Sequence, residues 1–471
     1  MKKVFSLIAT AILAVGFTAC SQSDSLEDTG FSTSATSIDN AIQFGTYMGK
    51  VGTTRAGYEG AITATELQDG KAGTKTKGFG VFAFNTGASD WSTAGASAKP
   101  NFMWNQQVYY DASSWKYEPV KYWPNGIDAA NAADTPSNTA TESAVQNLSF
   151  FAYAPYVAPN TDGSFDPAQT SGITALTGNN ADGDPKVTYK LNVASGKTAA
   201  DNVDLLWGTR GDATYSETDG SNNTVSPLPT ASPYAYNVDL TKQNTTEKVN
   251  FLFKHALAKI GGLNGLKVQL DVDNNAGGAL DSKSNVSVQS IVIKGVADKI
   301  ATTGVFDIAT GTWSGVALDD TYDETELFNV THETPNVNGN IFTAVGTPFT
   351  YDGSVWNKSG VTSTTATSIF TSGTQKEFYL LPGVAGQQLK VAITYQVRTY
   401  DTNLNGSYST VNQTITNIVT LPVLAVNHYY TLIMHLGLTS VKFEAAVSTW
   451  DEDGSGEEQK VWLPSNVVPG S

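Results

Sequence analysis

Residues Ala41–Ala56 read AIQFGTYMGKVGTTRA, and the rest of the chain is understood from them. Ile42, Phe44 and Thr46 alternate with Gln43, Gly45 and Tyr47, the period of a strand with one apolar face. A flexible, polar run follows and closes on Thr54, Arg55 and Ala56. Arginine is scarce: Arg55, Arg210 and Arg398 are its occurrences in the chain. One of them thus stands in a polar linker just after a short strand. Proteases act on mobile linkers, and a cut between Arg55 and Ala56 would detach the strand that carries Ile42 and Phe44. The sheet that held it would be left with a vacant groove of unpaired backbone groups. The plainer reading of Arg55, an ordinary solvated charge, stays open on chemistry alone.

Upstream, MKKVFSLIATAILAVGFTAC has the anatomy of a bacterial secretion signal. Lys2 and Lys3 give it a positive start, and Val4–Phe17 an apolar core too short for a stable membrane span. Small residues then lead to Cys20, the single cysteine of the chain. A cysteine at this position resembles the lipobox of bacterial lipoproteins, in which it becomes the acylated first residue. With no second thiol, disulfides are not expected to contribute to stability. Residues 21–40 are small and polar, a tether, so residues 1–20 are taken as signal and 21–55 as tether plus removable strand.

The remainder is acidic, with a formal net charge of -16 over the whole chain, and Lys and Arg are too sparse to track a phosphate backbone. Nucleic acid is therefore not an expected partner. Thr, Val and aromatic residues fill the patterned segments, and Gly, Asn, Asp and Pro separate them, an all-β composition. Gly78–Asn85 is apolar on both faces, as in a strand buried between layers. Phe102–Trp123 is an aromatic block, read either as hairpin and core cladding or as a platform that stacks on sugar rings. Leu148–Tyr156 is a further strand and Asp204–Trp207 an apolar plug. Val249–Ile260 reads as one strand, broken by GGLNG at Gly261–Gly265. The boundary between two β-sandwich domains is placed there, giving 56–262 and 263–471. The second half carries seven short alternating segments, ending with Val441–Trp450. An acidic hinge, DEDGSGEEQ, follows, and then KVWLP. Val441, Phe443 and Val447, with Val461 and Leu463 beyond the hinge, form apolar stripes suited to strand addition onto a neighbour's sheet.

Catalytic and metal chemistry finds little support. His255, His332, His428 and His435 have no ligand spacing such as HExxH. The Asx-rich segments Asn179–Asp184 and Asp271–Asp281 lack the register of a calcium loop and read as turns. Neither a cofactor, a metal nor an enzymatic activity is expected.

Several stretches together resemble the fimbrillins of Bacteroidales, the Mfa/FimA-like pilins of type V fimbriae. They are the lipobox ending at Cys20, IQF and TTRA near the N-terminus, YWP at Tyr122–Pro124 and FFAYAPY at Phe150–Tyr156. Others are DLLW at Asp204–Trp207, FKHALAKI at Phe253–Ile260, YLLPG at Tyr379–Gly383, HYYTLIMHLG at His428–Gly437 and AVSTW at Ala446–Trp450. The resemblance implies two transthyretin-like β-sandwiches in a protein exported as an outer-membrane lipoprotein, acylated at Cys20. It implies cleavage between Arg55 and Ala56, loss of the strand bearing Ile42 and Phe44, and refilling of the groove by a C-terminal strand of the next subunit. Donor residues would lie within Val441–Leu463. The partners implied are other fimbrial subunits, the outer membrane through the lipid before processing, and host or bacterial surface receptors or glycans. The acidic insert after Trp450 is not an obvious stalk-donor pattern and leaves stalk, anchor and tip roles open. The competing reading is a monomeric glycan-binding surface lipoprotein, or a tip adhesin, that uses the aromatic block.

Overall fold

The computed structural model describes residues 41–47, 67, 78–111, 114–124, 146–166, 171–193, 202–209, 237–241, 248–262, 265–271, 282–331, 366–369, 377–437, 441–449 and 459–467. The described part is almost wholly β. Its first ten strands are β1 (Phe44–Tyr47), β2 (Phe79–Gly87), β3 (Met103–Tyr110), β4 (Trp115–Lys116), β5 (Asn147–Ala154), β6 (Gly172–Leu176), β7 (Lys186–Lys190), β8 (Leu206–Thr209), β9 (Asn237–Leu240) and β10 (Val249–His255). There follow β11 (Ala258–Gly261), β12 (Leu266–Leu270), β13 (Ser284–Gly295), β14 (Thr303–Asp307), β15 (Thr312–Ser314), β16 (Glu326–Thr331), β17 (Thr367–Ser368) and β18 (Glu377–Leu380). The last are β19 (Gln388–Tyr400), β20 (Tyr408–Thr420), β21 (His428–Leu436), β22 (Val441–Thr449), β23 (Gln459–Trp462) and β24 (Ser465–Val467). Among the described residues a helical turn, Trp91–Ala94, continued by a 3-10 turn over Gly95–Ser97, interrupts them.

Four sheets result. An eight-stranded sheet runs β1-β10-β8-β5-β2-β3-β4, with β9 also on β5. A four-stranded sheet, β15-β14-β7-β6, packs on one of its faces. The central strand β2 explains the doubly apolar run in the sequence. Phe82 and Phe84 face the four-stranded sheet with Phe151, Tyr153, Tyr189 and Phe306. Phe79, Val81 and Ala83 face the opposite way, into a second core with Phe150, Phe251 and the aromatic block. A strand covered on both sides has no reason to alternate with polar residues.

The second sandwich pairs a seven-stranded sheet, built around β21, with the five-stranded sheet β16-β13-β19-β20-β24. Its core takes the alternate residues Leu389, Val391, Ile393 and Tyr395 of β19 and Leu432, Met434 and Leu436 of β21. β19 alternates buried and half-buried residues up to Tyr395, the period of two of a half-buried strand, whereas β21 is buried without alternation from Tyr430 to Leu436.

Two features depart from the linear reading. Val249–Ile260 is two strands rather than one. β10 pairs with β8 in the first sandwich, while β11 pairs with β18 and β21 in the second. Ala256 and Leu257, at the break, are both fully buried, so the alternation fails where the chain passes between sandwiches. The passage is pinned by Ala256 N donating to the Leu205 carbonyl at 2.7 Å and Trp313 Nε1 donating to the Ala256 carbonyl at 2.7 Å. Beside it the His255 ring meets both carboxylate oxygens of Asp204, at 2.9 and 3.1 Å.

The second feature is the hairpin β14–β15. It lies well past residue 262, yet β14 pairs along its whole length with β7, from Thr303↔Lys190 to Asp307↔Lys186. The four-stranded sheet is thus shared by strands from both sides of that position. Gly311, in the β14–β15 turn, has φ +67° and a Cβ direction blocked by the Trp207 ring, so only glycine fits there without rearrangement.

Candidate strand-exchange groove

β1 is short, and its hold on the sheet rests on two side chains and two backbone neighbours. Ile42 and Phe44 are 1% and 3% exposed, whereas Gln43 between them faces solvent. The Phe44 ring enters an aromatic nest with centroid distances of 5.2 Å to Tyr117, 6.0 Å to Phe251, 6.1 Å to Phe150 and 6.4 Å to Phe79. Burial of these two apolar side chains stabilises the strand by about 1.5–3 kcal/mol each.

On one side β1 runs parallel to β10, with Phe44 opposite Val249 and Thr46 opposite Phe251. Val249 N donates to the Gln43 carbonyl at 2.8 Å. Gly45 lies against Asn250, whose Oδ1 occupies the space of a Cβ. On the other side the strand is not a bare edge. Ile42 N donates to the Lys121 carbonyl at 2.9 Å, and the Tyr117 hydroxyl donates to the Ile42 carbonyl at 2.8 Å. Ala41 bridges Tyr122 in antiparallel sense. The strand therefore sits in a slot between β10 and the segment Tyr117–Tyr122. Tyr117 is 8% exposed, and burial pushes its phenol up to about 12, so it stays a neutral donor at any physiological pH.

The aromatic block proves to be the roof of this slot. Trp115 packs edge-on against Phe79 at 5.0 Å, Trp123 against Phe150 at 5.9 Å, and Tyr117 against Phe44. Tyr117 and Trp123 are buried in this way and offer no free face for sugar stacking, whereas Trp104, Tyr109, Tyr110 and Trp115 are half-buried. Tyr122, at 51% exposure, is the outward ring of the segment.

The C-terminal residues expected as donors divide into two groups. Val441 and Phe443, at 3% and 1% exposure, are built into the second sandwich's core, with Val447 packed at its margin. β22 is paired on both sides, with β21 over nine residue pairs and with β23. Val461 belongs to β23, which among the described residues pairs with β22 alone. Leu463 then crosses between the sheets, 6% exposed, its N–H donating to the Phe443 carbonyl at 3.0 Å. β24 closes on β20 in the opposite sheet. Of the two groups, only the one after the acidic hinge occupies sheet margins. Cys20, Arg55 and Ala56 lie outside the described residues, as do His332, Trp450 and nearly all of Asp271–Asp281.

The remaining histidines serve structure. His435 Nε2 lies 3.1 Å from Glu444 Oε2 across β21 and β22, and the His428 ring lies 2.7 Å from the Val426 carbonyl. Among the described residues there is no cluster of three or more His, Cys, Asp or Glu able to hold a metal ion. Sequence reasoning missed the Tyr117–Tyr122 segment as a wall of the slot. The YWP motif was visible, but a wall made largely of carbonyls has no side-chain signature.

No family model matches the chain. The sequence is similar to the fimbrium subunit Fim1C of Phocaeicola vulgatus, with 24% identity over 396 residues that span 81% of this chain and 83% of the relative. The structure is similar to the crystal structure of a fimbrial protein from Bacteroides vulgatus ATCC 8482, with a TM-score of 0.55 and 21% identity, covering 87% of this chain and 99% of that one. The latter likeness extends over both sandwiches and shows the fold.

Proposed function

The chain belongs to the Bacteroidales fimbrillin family, and on that premise we propose that it is a pilin of cell-surface fimbriae, assembled by strand exchange after a single cut. It is a fimbrial subunit with a structural rather than enzymatic role, and its partners are other fimbrial subunits. In the full reading the precursor is lipidated at Cys20, held at the outer membrane, and cleaved between Arg55 and Ala56. The segment bearing β1 leaves, and a C-terminal strand of the next subunit takes its place.

The observation that carries this reading is the burial of Phe44 in a four-ring nest by a strand of only four residues. That strand precedes Arg55 with just a polar linker between. Detaching it would expose Phe251, Phe150, Phe79 and Tyr117 together with the backbone edge of β10. The loss, of the order of 3–6 kcal/mol from the two side chains alone, is a large fraction of a domain's net stability. A subunit in that state is driven to take up another strand, and a neighbour's tail is the nearest source. The positions of β23 and β24 at sheet margins favour the segment after the acidic hinge as the mobile donor, because releasing it takes Leu463 from the core whereas releasing β22 would take Val441, Phe443 and Ala445 together.

The test is Arg55→Ala in the producing bacterium, read by electron microscopy and by gel mobility of the lipidated precursor. The expected result is accumulation of full-length lipoprotein without fibres. Normal fibres from unprocessed subunits would overturn the proposal.

A further inference from the structure

Resting on the strand-exchange reading, we propose that Tyr117–Tyr122 is a clasp that grips whichever strand fills the slot, with Tyr117 as its positioning residue and an extended segment of a second copy of this chain as the incoming partner. The geometry divides the hydrogen bonds of Ile42 and Gln43, which lead into β1, between two walls. The Gln43 carbonyl is spent on β10. The N–H and carbonyl of Ile42 point the other way, and both are taken by the clasp, through the Lys121 carbonyl and the Tyr117 hydroxyl. The same hydroxyl also donates toward the Lys121 carbonyl at 3.2 Å and accepts from Lys121 N at 3.2 Å, so it is anchored within the clasp itself.

These contacts involve backbone atoms of the strand only. They carry no sequence requirement and are available to any chain in extended form, as in other strand-addition sites. Sequence is read instead in the nest, by apolar residues at the Ile42 and Phe44 positions, and next to Asn250, where a small residue stands at Gly45. The incoming segment is thus defined as apolar, any, apolar, which Val461–Leu463 satisfies; at the next position Asn250 must swing its side-chain end aside for any residue larger than glycine, Pro464 in that register. At the Ile42 end it is held on both flanks rather than laid against an open edge. A strand in such a slot cannot peel away sideways from β10 while the clasp is shut. Exchange requires the clasp to loosen or the strand to slide out lengthwise, and either route makes the Tyr117 hydroxyl a brake on release. Burial keeps that hydroxyl protonated, so the brake holds across physiological pH.

The test uses Tyr117→Phe, which keeps the ring against Phe44 and removes only the hydroxyl. It is placed in the uncleaved Arg55→Ala chain, and amide hydrogen exchange is followed by mass spectrometry. Amides of residues 42–47 are expected to exchange about tenfold faster, the effect of losing one ordinary hydrogen bond, while those of β2 and β5 keep their rates. Unchanged exchange at residues 42–47 would overturn the clasp. So would an equal acceleration throughout the sheet, which would mark Tyr117 as a core prop. In a second arm, fibres from Tyr117→Phe cells are heated in detergent. Dissociation at a lower temperature than parent fibres supports the grip on the incoming strand, and an unchanged temperature counts against it. The exchange arm needs no fibre, so fibres built by Arg55→Ala subunits would sink the strand-exchange reading and leave the exchange result standing.

Discussion

Phe44 of β1 stacks on Phe251 of β10, ring planes 21° apart and centroids 6.0 Å apart. Its other three ring partners meet it edge-on, Tyr117 nearest at 5.2 Å, so the ring is enclosed on its face and its edges. Truncating Phe44 to alanine should lower the stability of the uncleaved chain by about 3–5 kcal/mol, the usual cost of emptying a buried aromatic site. Urea unfolding of the Arg55→Ala chain with and without Phe44→Ala measures it. If the strand departs on processing, fibres grown from Phe44→Ala subunits should be as stable as parent fibres. A matching loss in the fibre would place β1 there permanently.

Tyr117 gives the slot a dependence on alkaline pH. Its phenol is raised from about 10 to about 12 by burial, so the folded state favours the protonated form. The stability it contributes is complete below pH 10 and is lost as pH rises through 12. Tyr395 is raised to about 12 as well, again by burial, so the signal must be taken as a difference. Absorbance titration at 295 nm of parent and Tyr117→Phe chains should differ by one phenol titrating near 12. Thermal melts should converge as pH climbs from 10 to 12, the parent losing stability that Tyr117→Phe never had. A difference spectrum centred near 10 would show Tyr117 to be solvent-exposed.

How much of this was legible in the sequence depends on whether the information is local. The apolar faces of β10, β19 and β22 were written in residue alternation, β2 showed as a run apolar on both faces, and Ile42 and Phe44 were recognisable as a buried pair by period. The aromatic block offered two readings. Packing on Phe44 and Phe150 makes cladding of Tyr117 and Trp123, while Trp104, Tyr109, Tyr110 and Trp115 keep part of their surface in solvent. The break at Ala256–Leu257 was hidden because two consecutive buried residues look the same inside a strand or at a crossing. The clasp was hidden because its contacts to Ile42 involve a carbonyl and one phenol. The return of β14–β15 to the first sandwich was hidden because strand pairing over more than a hundred residues leaves no periodic trace.

Lys259 and Glu377 form a nearly buried ion pair at 3.4 Å, with side-chain exposures of 3% and 8%, on the paired strands β11 and β18. Two charges withdrawn from water to this degree are strongly destabilising when separated. Glu377→Ala should therefore cost about 3–5 kcal/mol, whereas the double change Lys259→Met, Glu377→Leu should recover most of the loss. Chemical denaturation of Lys259→Met, Glu377→Leu and their combination, beside Glu377→Ala, gives the cycle. Equal losses in the single and double variants would mean that the carboxylate matters for packing rather than for charge.

The interlaced hairpin makes a prediction about dissection. A chain ended at residue 262 keeps β6 and β7 but lacks β14 and β15, so the five-residue edge of β7 and the space filled by Phe306, fully buried beside Trp207 at 5.5 Å, are left open. An unpaired edge beside an emptied core site promotes association. Residues 56–262 alone should be recovered mainly as aggregate, and coexpression with residues 263–471 should restore soluble material as a complex. A subtler version is Gly311→Ala. Its turn requires φ +67°, and a Cβ there meets the Trp207 ring. The substitution should lower the full chain's stability by about 1–3 kcal/mol through backbone strain and steric displacement, read as a shift in the urea midpoint. Monodisperse, cooperatively unfolding 56–262 would show that the first sandwich closes without the hairpin, and that β14–β15 is an attachment rather than a member of its sheet.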